Sequence, residues 1–145
     1  MHKKCLIIGA SGGIGQAIVQ RVVDQGFSVG LHYNQSEQII QEMSKKIPDS
    51  QWAGVYQADL STLDGIHSFL GQINEEWDAV IFAGGHMYSG LFQDMKENEV
   101  DELYLVHVKS LWMITQKVLP YMIRKKRGNI LVISSIFGLE GASME

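Results

Sequence analysis

The stretch Ile8-Gly9-Ala10-Ser11-Gly12-Gly13-Ile14-Gly15 decides the fold that we expect for this chain. The apolar run Leu6 to Ile8 leads into it, and a helical pattern of apolar residues follows it. Glycines let a backbone approach a ligand closely, and the unpaired N–H groups at the start of a helix attract negative charge. A strand, a glycine-rich turn and a helix start therefore predict a cradle for a phosphate group.

The residues that follow this turn complete a βαβ unit. Apolar residues from Ile14 to Val23 keep helical spacing, Gly26 suits the position just after a helix, and residues 27–31 have the composition of a short strand. A glycine motif in this context is far more specific than the same motif alone. A strand-to-helix turn with a purely structural role is the alternative.

Strand and helix patterns continue to alternate along the rest of the chain. The further predicted elements are a helix capped by Asn34 or Ser36, a strand at 52–57, a helix from Ser61, a strand at 79–82, a helical pattern from about Glu97 to Arg127, and a strand at 130–133. Pro120 lacks a backbone donor and is expected to kink the last helix. The alternation predicts a single α/β domain over residues 1–145, with a Rossmann doubly wound parallel sheet of strand order 3-2-1-4-5.

Composition and charge exclude several classes of protein. The chain has 145 residues, of which 46% are apolar and 19% charged, and this is typical of one globular domain. A net charge of −4 provides no general attraction for nucleic acid, and the negative end of a helix dipole explains the basic run Arg124–Arg127 better. No apolar run is long enough to cross a membrane.

The cysteine and the histidines indicate the setting of the protein. Cys5 is the only cysteine, and the short segment before it leaves no room for a signal peptide, so we expect a cytoplasmic protein. No metal site is expected, because the spacing of the histidines is not that of metal ligands. The histidines in question are the four other than His107, namely His2, His32, His67 and His86.

The ends of the predicted strands carry the candidate site residues, because ligands of such sheets bind outside the carboxyl ends of the strands. Several motifs at these ends resemble those of the short-chain dehydrogenases/reductases. The motifs are G-x-x-x-G-x-G at Gly9, Gly13 and Gly15, then Asp59-Leu60, Ala83-Gly84, Leu119-Pro120-Tyr121-Met122 and Ser134-Ser135. The resemblance extends over essentially the whole chain, with the motifs in the family's order.

The resemblance implies a nicotinamide dinucleotide site. The pyrophosphate would be held by the glycine turn, at Gly9, Ser11, Gly13, Ile14 and Gly15. Asp59 would accept from the adenine amino group while Leu60 packs beside the ring; a carboxylate that caps the following helix is the alternative role for Asp59. Ala83 and Gly84 would let the backbone approach the cofactor, although Ile81-Phe82 stand where the family has two asparagines.

The end of the second strand predicts NADP(H) rather than NAD(H). An acidic side chain there would accept from the ribose 2′-hydroxyl of NAD, and residues 32–36 contain none. A 2′-phosphate would meet no repulsion, and the side chains of Tyr33, Asn34 and Ser36 together with helix N–H groups are its candidate ligands.

The resemblance also implies catalytic roles for two residues. Ser135, followed by Ile136-Phe137-Gly138, matches the serine that orients the substrate carbonyl. His107 falls where the family has an asparagine that helps to hold a proton-relay water; a half-buried helix histidine is the alternative. The family's proton donor, a tyrosine about thirteen positions after the serine, and its lysine would come after Glu145. We therefore expect a chain truncated before this Tyr/Lys pair, with the C-terminal part of the family fold absent.

The expected function of the complete protein is reduction of a carbonyl to an alcohol with NADP(H). Similarity to the 3-oxoacyl-carrier-protein-reductase branch implies a small-molecule or carrier-protein-linked substrate, and modified elongation factor P is one candidate. The long helical pattern from about Glu97 to Arg127 implies a homodimer or homotetramer. A non-catalytic dinucleotide-binding fragment or interaction module is the competing hypothesis.

Overall fold

A five-stranded parallel sheet forms the centre of the structure, a computed structural model that describes residues 3–144. The strands are β1 (Lys4–Ile8), β2 (Ser28–Tyr33), β3 (Trp52–Gln57), β4 (Ala79–Phe82) and β5 (Asn129–Val132). The helices are α1 (Gly13–Asp24), α2 (Glu37–Ser44), α3 (Leu63–Gln72), α4 (Glu97–Tyr104) and α5 (Ser110–Lys125). The strand order is β3-β2-β1-β4-β5, which confirms the predicted Rossmann topology.

Helices cover both faces of this sheet, and the alternation of side chains along β1 shows why. Leu6 and Ile8 belong to a buried cluster that contains residues of α3 and α5. Cys5 and Ile7 belong to a second cluster, which contains residues of α1 and α2. Because successive side chains of a strand point to opposite faces, a continuous apolar strand is stable only between two layers.

The second strand is longer than the sequence predicts and reaches Tyr33 rather than residue 31. Its last carbonyls are paired: the N–H of Ala10 donates to the His32 oxygen over 2.9 Å, and the N–H of Ala58 donates to the Tyr33 oxygen over 3.1 Å. The polar residues at this end therefore continue the strand, because the segments that follow β1 and β3 satisfy their backbone carbonyls.

The long helical pattern from Glu97 is divided into two α-helices. A wider π-helical turn, Leu105–Lys109, separates α4 from α5, whereas α5 continues through Pro120 to Lys125. The Ser110 hydroxyl donates to the Val106 oxygen over 2.6 Å and so supplies a donor to a carbonyl of this turn. A π-helical turn inside a longer helix is rare and is frequently found at functional sites.

The fifth strand lies at the edge of the sheet. Its aliphatic residues are suited to a sheet covered on both faces, yet Leu131 and Val132 are 47% and 51% exposed in the described structure. Two of the basic residues just before β5 form ion pairs: Arg124 lies 3.1 Å from a Glu75 oxygen, and Arg127 lies 3.5 Å from an Asp78 oxygen. Among residues 3–144, no helix is both long and apolar enough to cross a membrane.

Candidate functional site

The carboxyl ends of the strands open into a cleft with a volume of about 510 Å³. Its walls come from the turn after β1, the end of β2, the loop after β3, the loop after β4 and the π-helical turn. The predicted site residues that line it are Gly9, Ser11, Asn34, Asp59, Leu60, Ala83, Gly84 and His107. Gly13, Ile14, Gly15, Tyr33, Ser36 and Ser135 do not contribute to its lining.

The glycine turn lies directly against the loop after β4. Gly9 has a φ of +77°, and a Cβ atom built on it would lie 2.2 Å from the Cα of Gly84. A Cβ atom on Gly15 would lie 2.1 Å from the Gly9 oxygen. Neighbouring backbone atoms therefore leave no room for a side chain at Gly9 or Gly15. The absence of these side chains lets the start of α1 lie close to the ends of β1 and β4.

The start of α1 leaves polar groups available beside this turn. Gly12 precedes the helix and provides no side-chain cap, and the N–H of Gly12 donates to the Gly9 oxygen over 3.2 Å. The Ser11 carbonyl is occupied, because the Gln16 side chain donates to it over 2.9 Å. The N–H groups of the first turn, which includes Gly13 and Ile14, point toward an anion placed at the helix start.

The end of β2 contributes only one of its three predicted cofactor ligands to the cleft. Asn34 is exposed and lines the cleft, and its carbonyl accepts from the Gln57 side chain over 2.9 Å. Tyr33 instead packs against the core cluster under α1 and α2. Ser36 precedes α2, is exposed and makes no capping hydrogen bond with its side chain.

Asp59 lies in the loop between β3 and α3 with one carboxylate oxygen occupied. Its Oδ1 accepts from the Ser61 backbone N–H over 2.9 Å and from the Ser61 hydroxyl over 2.7 Å. Thr62, rather than Asp59, caps α3, since its Oγ1 accepts from the N–H of Gly65 over 3.0 Å. No hydrogen bond to Oδ2 of Asp59 is found among residues 3–144, so this oxygen can accept from a ligand.

The π-helical turn carries His107 into the cleft opposite the loop after β4. The His107 Nε2 atom lies 2.6 Å from the His86 oxygen and 3.2 Å from the His86 nitrogen. The His86 ring in turn lies 3.4 Å from the Glu102 carboxylate. His107 is thus held by the backbone of the loop that begins with Ala83 and Gly84.

Ser135 follows β5 outside the lining of the cleft. Its hydroxyl oxygen accepts from the N–H of Phe137 over 3.2 Å and caps the short helical turn Ile136–Gly138. The nearest lining residue in the sequence is Ile133. Ser135 and His107 are not joined by any hydrogen bond within residues 3–144.

His32 lies at one of the strand ends expected to carry site residues, although the sequence assigns it no role there. It lines the cleft and is only 5% exposed. Burial lowers the pKa of its imidazole from 6.5 to about 4, against the opposing effects of a hydrogen bond to Ala58 and the charge of Asp59. The sequence signal for a site role is the position of this histidine, near the end of a largely apolar strand.

Among residues 3–144, no group of three or more histidine, cysteine or acidic side chains is placed so that it could hold a metal ion. His2, one of the histidines considered above, lies outside those residues.

Comparisons with known proteins identify relatives of this chain. An "Uncharacterized oxidoreductase YmfI" from Bacillus subtilis (strain 168) is 40% identical over 149 residues, an alignment covering 100% of this chain and 61% of the relative. A "3-oxoacyl-[acyl-carrier-protein] reductase FabG" from Staphylococcus aureus (strain Mu50 / ATCC 700699) is 28% identical, covering 97% of this chain and 59% of the relative. The chain thus spans about 60% of the length of these curated relatives.

A solved structure agrees with the fold. A short-chain dehydrogenase from Sphingobium yanoikuyae in complex with NADPH superposes with a TM-score of 0.82 at 22% identity, covering 95% of this chain and 56% of that one. The family model described as short chain dehydrogenase matches residues 3–145. Since that match extends over nearly the entire sequence, the chain belongs to the short-chain dehydrogenase family of oxidoreductases.

Proposed function

We propose that this chain is the cofactor-binding part of an NADP(H)-dependent reductase that converts a carbonyl to an alcohol. The observation that carries the proposal is the convergence of the glycine turn, Asp59 and Gly84 on one cleft. The contact between Gly9 and Gly84 leaves backbone rather than side chains at the cleft wall, and Oδ2 of Asp59 is available to a donor. These groups fit the phosphates and the adenine of a dinucleotide.

The chain's own residues would bind and orient the reactants. The first-turn N–H groups of α1 would hold the pyrophosphate, and Asp59 would accept from the adenine amino group. When bound, the nicotinamide supplies a hydride to the carbonyl carbon. Ser135 would orient the carbonyl oxygen, and His107 would hold a water of a proton relay. The family resemblance assigns the final proton transfer to a tyrosine rather than to Ser135 or His107.

The preference for NADP(H) rests on the neutral end of β2. The first acidic residue after this strand is Glu37, in the first turn of α2, where its carboxylate accepts from the Gln41 side chain over 3.2 Å. Of the polar residues proposed for a 2′-phosphate, Asn34 is the one that lines the cleft. Tyr33 and Ser36 remain candidates through their positions beside it.

The preference is tested by measuring dissociation constants for NADPH and NADH by cofactor fluorescence. We expect tighter NADPH binding in the wild-type chain. Asn34→Asp places a carboxylate at the cleft and is expected to weaken NADPH binding relative to NADH binding by about tenfold through like-charge repulsion. The control is Gln38→Glu at an exposed position of α2, which should leave the ratio of the two dissociation constants unchanged. Equal or tighter binding of NADH by the wild type would reject the preference.

The proposed substrate is a carbonyl on a small molecule or a carrier protein. The printed name of the Staphylococcus aureus relative, which specifies a 3-oxoacyl group on acyl carrier protein, supports the carrier-linked class. Modified elongation factor P is a further candidate of this class. NADPH oxidation measured with each carbonyl substrate distinguishes these candidates, and binding of NADPH without turnover of any of them would support the non-catalytic module.

The proposed assembly is a homodimer or homotetramer formed through α4 and α5. Trp112 is 62% exposed on α5 and does not belong to the core, and Tyr104 and Val108 are also exposed along the same run of helix. Burial of such side chains against a second copy would remove apolar area from water. Sedimentation velocity tests this proposal, and a monomer at every concentration would reject it.

A further inference from the structure

His32 occupies the point at which two ligand-binding loops meet the same strand. It is the penultimate residue of β2, and β2 lies between β1 and β3 in the sheet. Its buried ring meets Phe69 of α3 edge-on, with ring centroids 4.9 Å apart. The ring is therefore held between the sheet and α3, at the floor of the cleft.

Both ring nitrogens are occupied by backbone groups. The N–H of Gly9 donates to Nδ1 over 3.2 Å, so Nδ1 must carry a lone pair. Nε2 then carries the proton and donates to the Ala58 oxygen over 3.0 Å. The two contacts together permit one neutral tautomer, with the hydrogen on Nε2.

These two bonds connect segments on opposite sides of β2. Gly9 begins the glycine turn after β1, and Ala58 immediately precedes Asp59 after β3. Since β1 and β3 pair with opposite edges of β2, no ladder hydrogen bond links their ends directly. The imidazole is the side chain that spans the width of β2 from one loop to the other.

We propose that His32 is a positioning residue for the dinucleotide, whose neutral imidazole fixes the glycine turn and the Asp59 loop at the separation between phosphates and adenine. The inference rests on the proposed function, because those two loops are its phosphate and adenine sites. A ligand that reaches both loops depends on their separation, whereas a ligand that contacts one loop does not. The residue acts through Gly9 and Ala58 rather than by contact with the reacting atoms.

Protonation of the ring would break this connection. A hydrogen on Nδ1 would face the N–H of Gly9, so two donors would oppose each other. Burial also opposes the cation, while Asp59 is the charged neighbour that favours it and Phe69 contributes no charge. The neutral form therefore holds the two loops together near neutral pH.

The test compares a two-site ligand with a one-site ligand. NADPH would contact both loops, whereas adenosine 2′-monophosphate, which lacks the pyrophosphate, would contact the Asp59 loop and the end of β2 but not the glycine turn. For His32→Leu we expect the dissociation constant of NADPH to rise about tenfold or more and that of adenosine 2′-monophosphate to change less than threefold, as measured by NMR titration. Equal losses for both ligands, or no loss for NADPH, would overturn the proposal.

Two conservative variants control for failure to fold. His32→Asn keeps an acceptor near the position of Nδ1 for Gly9, and His32→Gln keeps a donor near the position of Nε2 for Ala58. Each retains one of the two bonds, so we expect NADPH affinities between those of the wild type and His32→Leu. Affinities of both variants equal to that of the wild type would contradict a role for the paired bonds.

An observation without cofactor separates this inference from the proposed function. Nitrogen-15 NMR of the histidine-labelled wild-type chain should show the Nε2–H tautomer for His32, assigned by its loss in the variants. Failure of the wild type to bind NADPH would reject the proposed function while leaving this ring geometry in place. A different tautomer would overturn the proposal about His32 even if NADPH binds.

Discussion

Gly9 shows how a single backbone position controls the approach of two loops. Its φ of +77° lies in a region that side chains rarely adopt, and the Cα of Gly84 occupies the space where a Cβ would be. Both restrictions act at the residue that opens the turn toward α1. The contact between Gly9 and Gly84 therefore requires a glycine at position 9, both for its positive φ and for its lack of a Cβ atom.

Gly9→Ala is expected to lower the free energy of unfolding by roughly 2–5 kcal/mol, the sum of an unfavourable φ and a backbone collision. The control is Gly71→Ala, because Gly71 lies exposed in α3 with open space around its Cα and alanine favours helix by about 0.5–1 kcal/mol. Urea unfolding followed by tryptophan fluorescence measures both changes. A Gly9→Ala protein as stable as the wild type would show that the turn can move away from Gly84.

His32 contributes a pH dependence of stability with a definite sign. Its pKa is about 4 in the folded chain against an ordinary value of 6.5, chiefly because burial disfavours the cation. Between these values the unfolded chain binds a proton that the folded chain does not, so the free energy of unfolding falls as pH decreases, by at most about 1.4 kcal/mol per pH unit.

Urea titrations between pH 7 and pH 5 measure this contribution. His32→Gln removes it, and the carboxylates titrate alike in the two proteins, so the difference in slope isolates the histidine. The wild type is expected to lose stability more steeply than the variant on acidification. Parallel slopes would mean that His32 titrates normally in the folded chain.

The loop between β3 and α3 combines a helix cap with a ligand site. Thr62 caps the helix, and this leaves Asp59 free to organise Ser61 with one oxygen and to present the other to the cleft. Neither role displaces the other, because each uses a different side chain. The alternative in which Asp59 caps the helix is wrong for this reason.

Asp59→Asn is expected to weaken NADPH binding about tenfold with little change in stability. The amide oxygen can still accept from Ser61, but the amide nitrogen then faces the donor of the adenine amino group. Asp64→Asn makes the same charge change on the exposed first turn of α3 and should leave the affinity within about twofold. Fluorescence titration of both variants checks this, and equal affinities would remove Asp59 from the adenine site.

The sheet as a whole shields its central strand from solvent. Cys5 lies in β1, is 1% exposed and belongs to the core cluster under α1 and α2. Burial raises the pKa of its thiol to about 12, so almost no thiolate forms near neutral pH. The layer formed by α1 and α2 must move away from the sheet before a reagent reaches the sulfur.

Native Cys5 is therefore expected to react with a thiol reagent only when the chain unfolds globally. Its labelling rate should fall relative to an unfolded control by a factor set by the free energy of unfolding. Gln38→Cys in a Cys5→Ala background provides an exposed thiol on α2, which should react at the rate of a free cysteine. Rapid labelling of native Cys5 would reveal local opening of β1.

The sequence alone determined the order of strands and helices, the sheet topology and the edge at which the cleft lies. These features follow from apolar periodicity and from the glycines around Gly9, both of which are local properties of the chain. It also located Asp59 and Gly84 at the correct strand ends. Apolar periodicity predicted one continuous helical pattern from about Glu97, and the structure adds a wider turn at Leu105–Lys109 within it.

Only the tertiary structure decided how the strand ends contact one another. It packed Tyr33 against the core cluster, set Asn34 at the cleft and left Oδ2 of Asp59 available. It also joined His32 to Gly9 and to Ala58, which are 23 and 26 residues away in the sequence. Such bonds depend on register between strands and on side-chain direction, and neither is encoded in the residues next to His32.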